Sequence, residues 1–237
     1  MQTTLGQYNE VKAEQPFTLQ NSKLLKISLQ GMTVQSKLGA MVAYQGDVTF
    51  EHAGSGGMSR MIKKAVTGEG TQLMKITGTG EVFCADTAQD IHLIYLENDS
   101  ITVNGPNLLA FDANIDWDIK RLQGGAAGAM AGGLFNMELK GTGWVALLSD
   151  GPPVLLNVAL APTFADAQAA VVWSSGVSVR LKTDFKMKNL IGRGSGESLQ
   201  LAFQGQGWVL VQPSEGRPVV AAGGAAGGGG LGGLLNG

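Results

Sequence analysis

Apolar and polar positions alternate along most of this chain. Leu24-Leu-Lys-Ile-Ser-Leu29 alternates, Gly31 interrupts it, and Met32-Thr-Val-Gln35 takes the pattern up again. A period of two puts successive side chains on opposite faces, so these runs predict strands and Gly31 predicts a turn between them. Gly39-Ala-Met-Val-Ala-Tyr44 is a continuous apolar run, Gln45-Gly46-Asp47 reads as a turn, and Val48-Thr-Phe50 alternates again.

Two phrases recur at one period. The first is an apolar run, Gly-x-Gly, then a second apolar run: Leu73 to Phe83, Met137 to Leu147 and Leu201 to Val211. Its glycines are Gly78 and Gly80, Gly141 and Gly143, Gly205 and Gly207, spaced 63 and 64 residues apart. The second phrase aligns Met41–Phe50 with Leu108–Trp117 and Ala170–Val179, and brings Tyr44, Phe111 and Trp173 into coincidence at spacings of 67 and 62 residues. Glycine-rich inserts of unequal length separate the phrases, at 52–70, 122–133 and 189–197. Constant strands with variable inserts are how repeat units with loops on one face behave.

Glycine inside a strand marks a bulge, a bend or a close approach of another backbone. A pair at the same place in three units predicts a corner, which Trp144 and Trp208 would cover (Glu81 stands there in the first unit). A unit of some 60 residues hardly buries a core of its own. The expected fold is therefore all-β, with three sandwich-like repeats in a pseudo-threefold, closed arrangement that hides the sheet edges. The alternative is a pair of packed sheets whose similarity is only local. The expected organisation is an N-terminal arm (1–16), one β domain (17–217) with repeats at about 17–96, 97–160 and 161–217, and a flexible Gly/Ala-rich tail (218–237).

One helix is expected. Met58, Met61, Ile62, Ala65 and Val66 fall at i, i+3, i+4, i+7 and i+8, with Arg60, Lys63 and Lys64 on the other side. Three uses fit this pattern: packing on the chain's own core, docking a partner or another subunit, or lying on an anionic membrane surface.

Composition narrows the function classes. The chain carries 44% hydrophobic and 15% charged residues, 36 glycines and a net charge of −2, with a pI near 5.7. That balance argues against a broad nucleic-acid surface, which needs an excess of Lys and Arg. Cys84 is the sole cysteine, so an intrachain disulfide or a cysteine metal site is excluded. Residues 1–10 lack the basic-then-apolar order of a signal peptide, and no run reaches the roughly 18–20 apolar residues of a membrane span. A cytoplasmic protein is expected.

Candidate chemistry is sparse. His52 and His92 have no second histidine at metal-ligand spacing. Cys84 and His92 would face each other across a hairpin as a thiol–imidazole pair; a buried structural cysteine and an edge histidine fit as well. Asp112, Asp116 and Asp118 would share one face of an extended strand, either solvated or placed to hold a cation or flank a glycosidic bond. Gly192-Arg-Gly-Ser-Gly-Glu197 lacks the Gly-Lys-Ser/Thr of a phosphate loop, and pairing of Arg193 with Asp184 or Glu197 fits better. No catalytic, metal or cofactor site is expected.

Leu109-Ala-Phe-Asp, Asp116-Trp117, Gly133 to Val145, Asp184-Phe185 and Gly192 to Ser214 resemble the altered-inheritance-of-mitochondria family, member twenty-four type. The resemblance spans roughly residues 20–217. It implies a β fold like that of the tryptophan RNA-binding attenuation protein in repeated form, and eukaryotic relatives associated with mitochondrial inner-membrane organisation. It carries no catalytic residues, and a shared fold does not transfer RNA binding. The expected function is a non-enzymatic, oligomeric β scaffold or assembly protein, with peripheral contact at a membrane surface as a further use. Its partners would be further copies of itself and another protein, without DNA. Its interaction surface would be the glycine-rich inserts and Met58, Arg60, Met61, Ile62, Lys63 and Lys64. The alternative is a small-ligand or RNA binding module using clefts between repeats.

Overall fold

The computed structural model describes residues 3–52, 72–121, 135–182 and 200–214. Within them the chain is all-β. Fourteen strands run in order: β1 (Phe17–Asn21), β2 (Leu24–Lys37), β3 (Met41–His52), β4 (Leu73–Cys84), β5 (Asp90–Asn104), β6 (Leu108–Asp112), β7 (Asp116–Arg121), β8 (Phe135–Ser149), β9 (Val154–Asn157), β10 (Thr163–Asp166), β11 (Ala170–Ser174), β12 (Val177–Leu181), β13 (Gln200–Gly205) and β14 (Trp208–Val211). Helical structure among the described residues is limited to two single 3-10 turns, Leu5–Tyr8 and Gly105–Asn107. The Met58–Val66 helix, the Gly192–Glu197 loop, the Leu122–Gly133 insert and the 218–237 tail lie outside the described residues.

All the pairings are antiparallel. The main sheet follows the path β3-β4-β2-β6-β8-β5-β11-β14-β9, with β1 added on β2 and β7 on β8; a second sheet has the order β10-β13-β12. Among the described residues the path is open, with β3 and β9 at its ends, and the strand pairing there does not show the closure expected from the sequence.

Each Gly-x-Gly strand has an aromatic-phrase strand on one side. β4 lies between β2 and β3, β8 between β5 and the β6–β7 pair, and β13–β14 between β9–β10 and β11–β12. Two further pairings link these groups. β2 pairs β6 through Val34↔Asp112, Gln35↔Phe111 and Ser36↔Ala110. β5 pairs β11 through Ile101↔Ser174, Thr102↔Trp173 and Val103↔Val172.

The core is divided into three clusters. One gathers Phe17, Leu25, Ile27, Val34, Ile76 and Val82. A second is built on Phe111, Ile115, Met137, Leu139 and Val145, a third on Trp173, Leu201, Phe203 and Val209. Phe17, Phe111 and Phe203 are among the largest fully buried side chains, one in each cluster. Burial of each ring contributes about 1.5–3 kcal/mol, the kind of term that holds a sheet against its conformational entropy.

Two local expectations need correction. Gln45-Gly46-Asp47 is not a turn, and β3 runs through it without a break. Gly31 does not reverse the chain either: β2 is continuous, and Gly31 and Met32 form a bulge opposite Gly78. The bulge takes Gly31 to φ +78°, which an L side chain resists. The N-terminal arm is tied down by Lys26 and by Gln20, which accepts from the Val11 N–H and donates to the Asn9 carbonyl. Lys26, on β2, donates to the Val11 carbonyl at 2.8 Å and pairs with Glu10 at 2.5 Å. The Ser28 N–H donates to the Pro16 carbonyl.

Candidate functional site

The Gly-x-Gly glycines, Gly141 excepted, stand where a neighbouring strand's backbone or side chain approaches closely. A Cβ on Gly78 would sit 2.1 Å from the Asp47 carbonyl oxygen, and one on Gly80 2.0 Å from that of Gln45. One on Gly205 would meet the Gly176 carbonyl oxygen at 2.3 Å, and one on Gly207 the Ser174 hydroxyl at 2.1 Å. Gly143 abuts the Asp112 carboxylate in the same way, whereas Gly141 has Ile115 Cα no nearer than 3.6 Å. The phrase is therefore structural chemistry, a packing device that places strand on strand.

Trp144 and Trp208 follow the second glycine, and their backbones carry a consequence of the broken partner strands. β6–β7 and β11–β12 are interrupted where β3 is continuous, so a ladder hydrogen bond is lost. A side chain replaces it. The Trp144 N–H donates to Asp112 Oδ2 at 2.7 Å, and the Trp208 N–H donates to Ser174 Oγ at 3.0 Å. The Trp144 ring packs on Tyr95, with centroids 5.0 Å apart.

Asp112, Asp116 and Asp118 are not one constellation. The break at 113–115 separates β6 from β7 and ends the shared face. Asp112 is 8% exposed, and burial raises its pKa against the lowering effect of the Trp144 N–H. Its Oδ1 is buried with no hydrogen-bond partner among the described residues. Asp116 and Asp118 each accept from the next backbone N–H, and Asp118 lies 3.9 Å from Lys120. Among the described residues no three His, Cys, Asp or Glu side chains gather to hold a metal ion.

Cys84 and His92 also have separate partners. Cys84 is fully buried beside the Ser36 hydroxyl at 3.8 Å, and burial pushes its thiol up to about 11. Such a thiol is a packing group rather than a nucleophile. His92 Nε2 lies 2.7 Å from Ser149 Oγ, whose own proton goes to the Gly151 carbonyl at 2.7 Å. The imidazole is thus the donor, and burial lowers its pKa in opposition to nearby Asp90. This is not the arrangement of a base activating a serine, which must accept the serine's proton. The side chain of His52 is outside the described residues.

Clefts among the described residues are open to solvent. One, of ≈ 580 Å³, lies between the arm at Lys12–Pro16 and Ser28, Gln30 and Glu81. Another, of ≈ 340 Å³, is lined by Met32, Thr33, Asp112, Ala113 and Asn114. Neither has an aromatic residue in its described lining, whereas small-ligand sites are lined predominantly by hydrophobic and aromatic side chains.

The sheet edges are the residues that sequence reasoning missed as a surface. Val42 and Tyr44 on β3 are exposed, and so are Val154 and Leu155 on β9, Leu160, and Phe164 on β10. Tyr44 was visible in the aromatic phrase, but its exposure was not. The Phe164 ring carries Lys182 over it, with Nζ 4.8 Å from the ring centroid.

A family model described as Mitochondrial biogenesis AIM24 matches residues 17–214. The chain belongs to this family. The AIM24 match begins at the first residue of β1 and ends just past β14, so it takes in every described strand. The AIM24 chain is also similar in fold to the crystal structure of protein SPYM3_0169 from Streptococcus pyogenes, with a TM-score of 0.68. That pair shares 21% identity over 84% of this chain and 92% of the other. No match was found among curated proteins. No helix among the described residues is long and apolar enough to cross a membrane.

Proposed function

We propose that this AIM24-family chain is a non-enzymatic scaffold or assembly protein that works by associating with further copies of itself, built from three related β units following one another like those of the tryptophan RNA-binding attenuation protein. The observation that carries the reading is the apolar surface on the edge strands of the two sheets. Val42, Tyr44, Val154, Leu155 and Phe164 are each 50% exposed or more, on edge strands. Apolar edge strands are sites of intermolecular pairing unless something blunts them.

The unit reading is supported by equivalent register. Counting back from the first glycine of each phrase, Ile76, Leu139 and Phe203 correspond, and their strand partners are Val34, Ile101 and Thr163. The functional reading assigns the titratable groups to structure: Asp112 substitutes for a ladder bond, Cys84 packs and His92 anchors a turn. Attachment of another protein or of a membrane surface belongs to the same proposal, through the 52–70 insert with Met58, Arg60, Met61, Ile62, Lys63 and Lys64. Native mass spectrometry on protein taken straight from cells tests it. The expected result is a discrete multiple of 24.6 kDa with no added mass. A bound small molecule or nucleic acid would favour a binding module instead, and a single bare chain at working concentration would remove the scaffold reading.

A further inference from the structure

The two pairings that join successive units have the same register. Val34 and Ile101 are equivalent, and they face Asp112 and Ser174, which are also equivalent. One residue along, Gln35 faces Phe111 and Thr102 faces Trp173. Each unit therefore offers two complementary edges. One is the strand before its Gly-x-Gly phrase, and the other is its aromatic strand. Three units in a row use two junctions and leave one edge of each kind over.

The leftover edges are β3 and β10. Among the described residues β3 pairs only with β4, and β10 only with β13. Their surroundings differ from those at the filled junctions. Phe111 and Trp173 are 0% and 4% exposed, whereas the equivalent Tyr44 is 50% exposed. Leu109 and Val171 are both fully buried, whereas the equivalent Val42 is 57% exposed. The leftover aromatic strand thus has the apolar character of a strand buried on both faces, without the cover. On the other edge, Phe164 stands at the position of Gln35 and Thr102 and is 51% exposed.

We infer that β3 of one copy pairs antiparallel with β10 of a second copy, in the register of the internal junctions: Gln45 opposite Thr163, Tyr44 opposite Phe164 and Ala43 opposite Ala165. The occupant is a second copy because this chain already carries the matching edge. The interface is heterologous, so each copy uses β3 toward one neighbour and β10 toward the other, and assembly proceeds head to tail into a ring or filament. The pairing places two rings directly opposite each other, the arrangement that makes cross-strand aromatic pairs favourable. This inference rests on the self-association proposed above and names its surface.

Disulfide mapping tests the register, because directly opposite residues on paired strands come within reach of an S–S bond. Tyr44→Cys and Phe164→Cys are purified separately, mixed and oxidised; the buried Cys84 stays out of the reaction. The expected result is covalent dimer in the mixture and none in either variant alone. The double variant should give a ladder of covalent oligomers. Cross-linking confined within single double-variant chains would overturn the inference, since the last junction would then close inside one molecule. Oligomers by light scattering with no cross-link would overturn the surface but leave self-association standing. A single-chain mass for the unmodified protein would overturn both. Phe164→Glu gives an independent readout, and it should lose the higher masses while its circular dichroism and melting stay those of a folded chain.

Discussion

Alanine at Gly78 and at Gly141 makes a controlled comparison. The two residues hold the same place in the Gly-x-Gly phrase and nearly the same backbone conformation, φ +127° and +140°. Each substitution therefore meets the same strain from a side chain at positive φ, about 1–3 kcal/mol. The room around them differs. A new Cβ at Gly141 has nothing nearer than Ile115 Cα at 3.6 Å, which is ordinary contact. At Gly78 it would stand 2.1 Å from the Asp47 carbonyl oxygen, and that atom belongs to β3 and cannot swing aside like a side chain. β3 and β4 must separate around the Val48↔Gly78 pair. Overpacking of this kind adds about 1–3 kcal/mol, and each ladder hydrogen bond given up adds about 1 kcal/mol. Gly141→Ala should thus lose about 2 kcal/mol and Gly78→Ala about 4 kcal/mol or more. In melting temperature, at about 2–4 °C per kcal/mol for a chain of this size, the gap between the variants is at least about 4 °C. Urea titration followed by tryptophan fluorescence gives the free energies directly. Equal losses in the two variants, or a larger loss at Gly141, would refute the close-approach account of the motif.

Other consequences can be checked on single variants. Burial raises the Asp112 pKa in the folded state, so its share of stability is full at low pH and is lost as pH rises from the ordinary carboxylate range through the raised value. Asp112→Asn should therefore gain on the unmodified protein over that window; a difference constant with pH would contradict the assignment. Ser174→Ala removes the acceptor for the part-buried Trp208 N–H and should destabilise by about 1 kcal/mol in urea titration, the net worth of a typical hydrogen bond. His92 runs the other way. Burial lowers its pKa, so its contribution is present above the ordinary histidine value and falls away as pH drops below it, and His92→Gln should flatten the urea-derived stability profile there. Cys84, with its thiol pushed up to about 11, should react with a thiol reagent at the rate of global unfolding; fast labelling under native conditions would place it in a mobile region.

The strand content and the packing glycines were legible because both are local signals. Alternation fixes which face a residue takes, and a glycine that recurs at Gly78, Gly141 and Gly205 reports a backbone constraint whatever surrounds it. The role of Asp112 was not legible. Its sequence context gives a strand of period two, and only the break after β6 turns its carboxylate back onto the Trp144 N–H. Gln45-Gly46-Asp47 misled for a related reason. Glycine there serves the approach of β3 to Thr79 and Gly80 rather than a reversal, and composition does not distinguish the two. Phe164 went unnoticed because β10 is four residues long and carries no periodicity to speak of. Its meaning comes only from register, which compares three separate strand pairings, as does the exposure of Val42 and Tyr44.

Residue-resolved hydrogen exchange, run over a range of protein concentrations, tests the unfilled junction most directly. The outward-facing amides of β3 between Met41 and Gln45, and those of Thr163–Ala165 on β10, are the ones a second copy would cover. They should be protected in concentrated protein and lose protection together on dilution, while the equivalent amides in β6 and β11 stay protected throughout. Exchange at β3 and β10 that is fast at every concentration, or slow at every concentration, would contradict the pairing of β3 with β10 of a second copy.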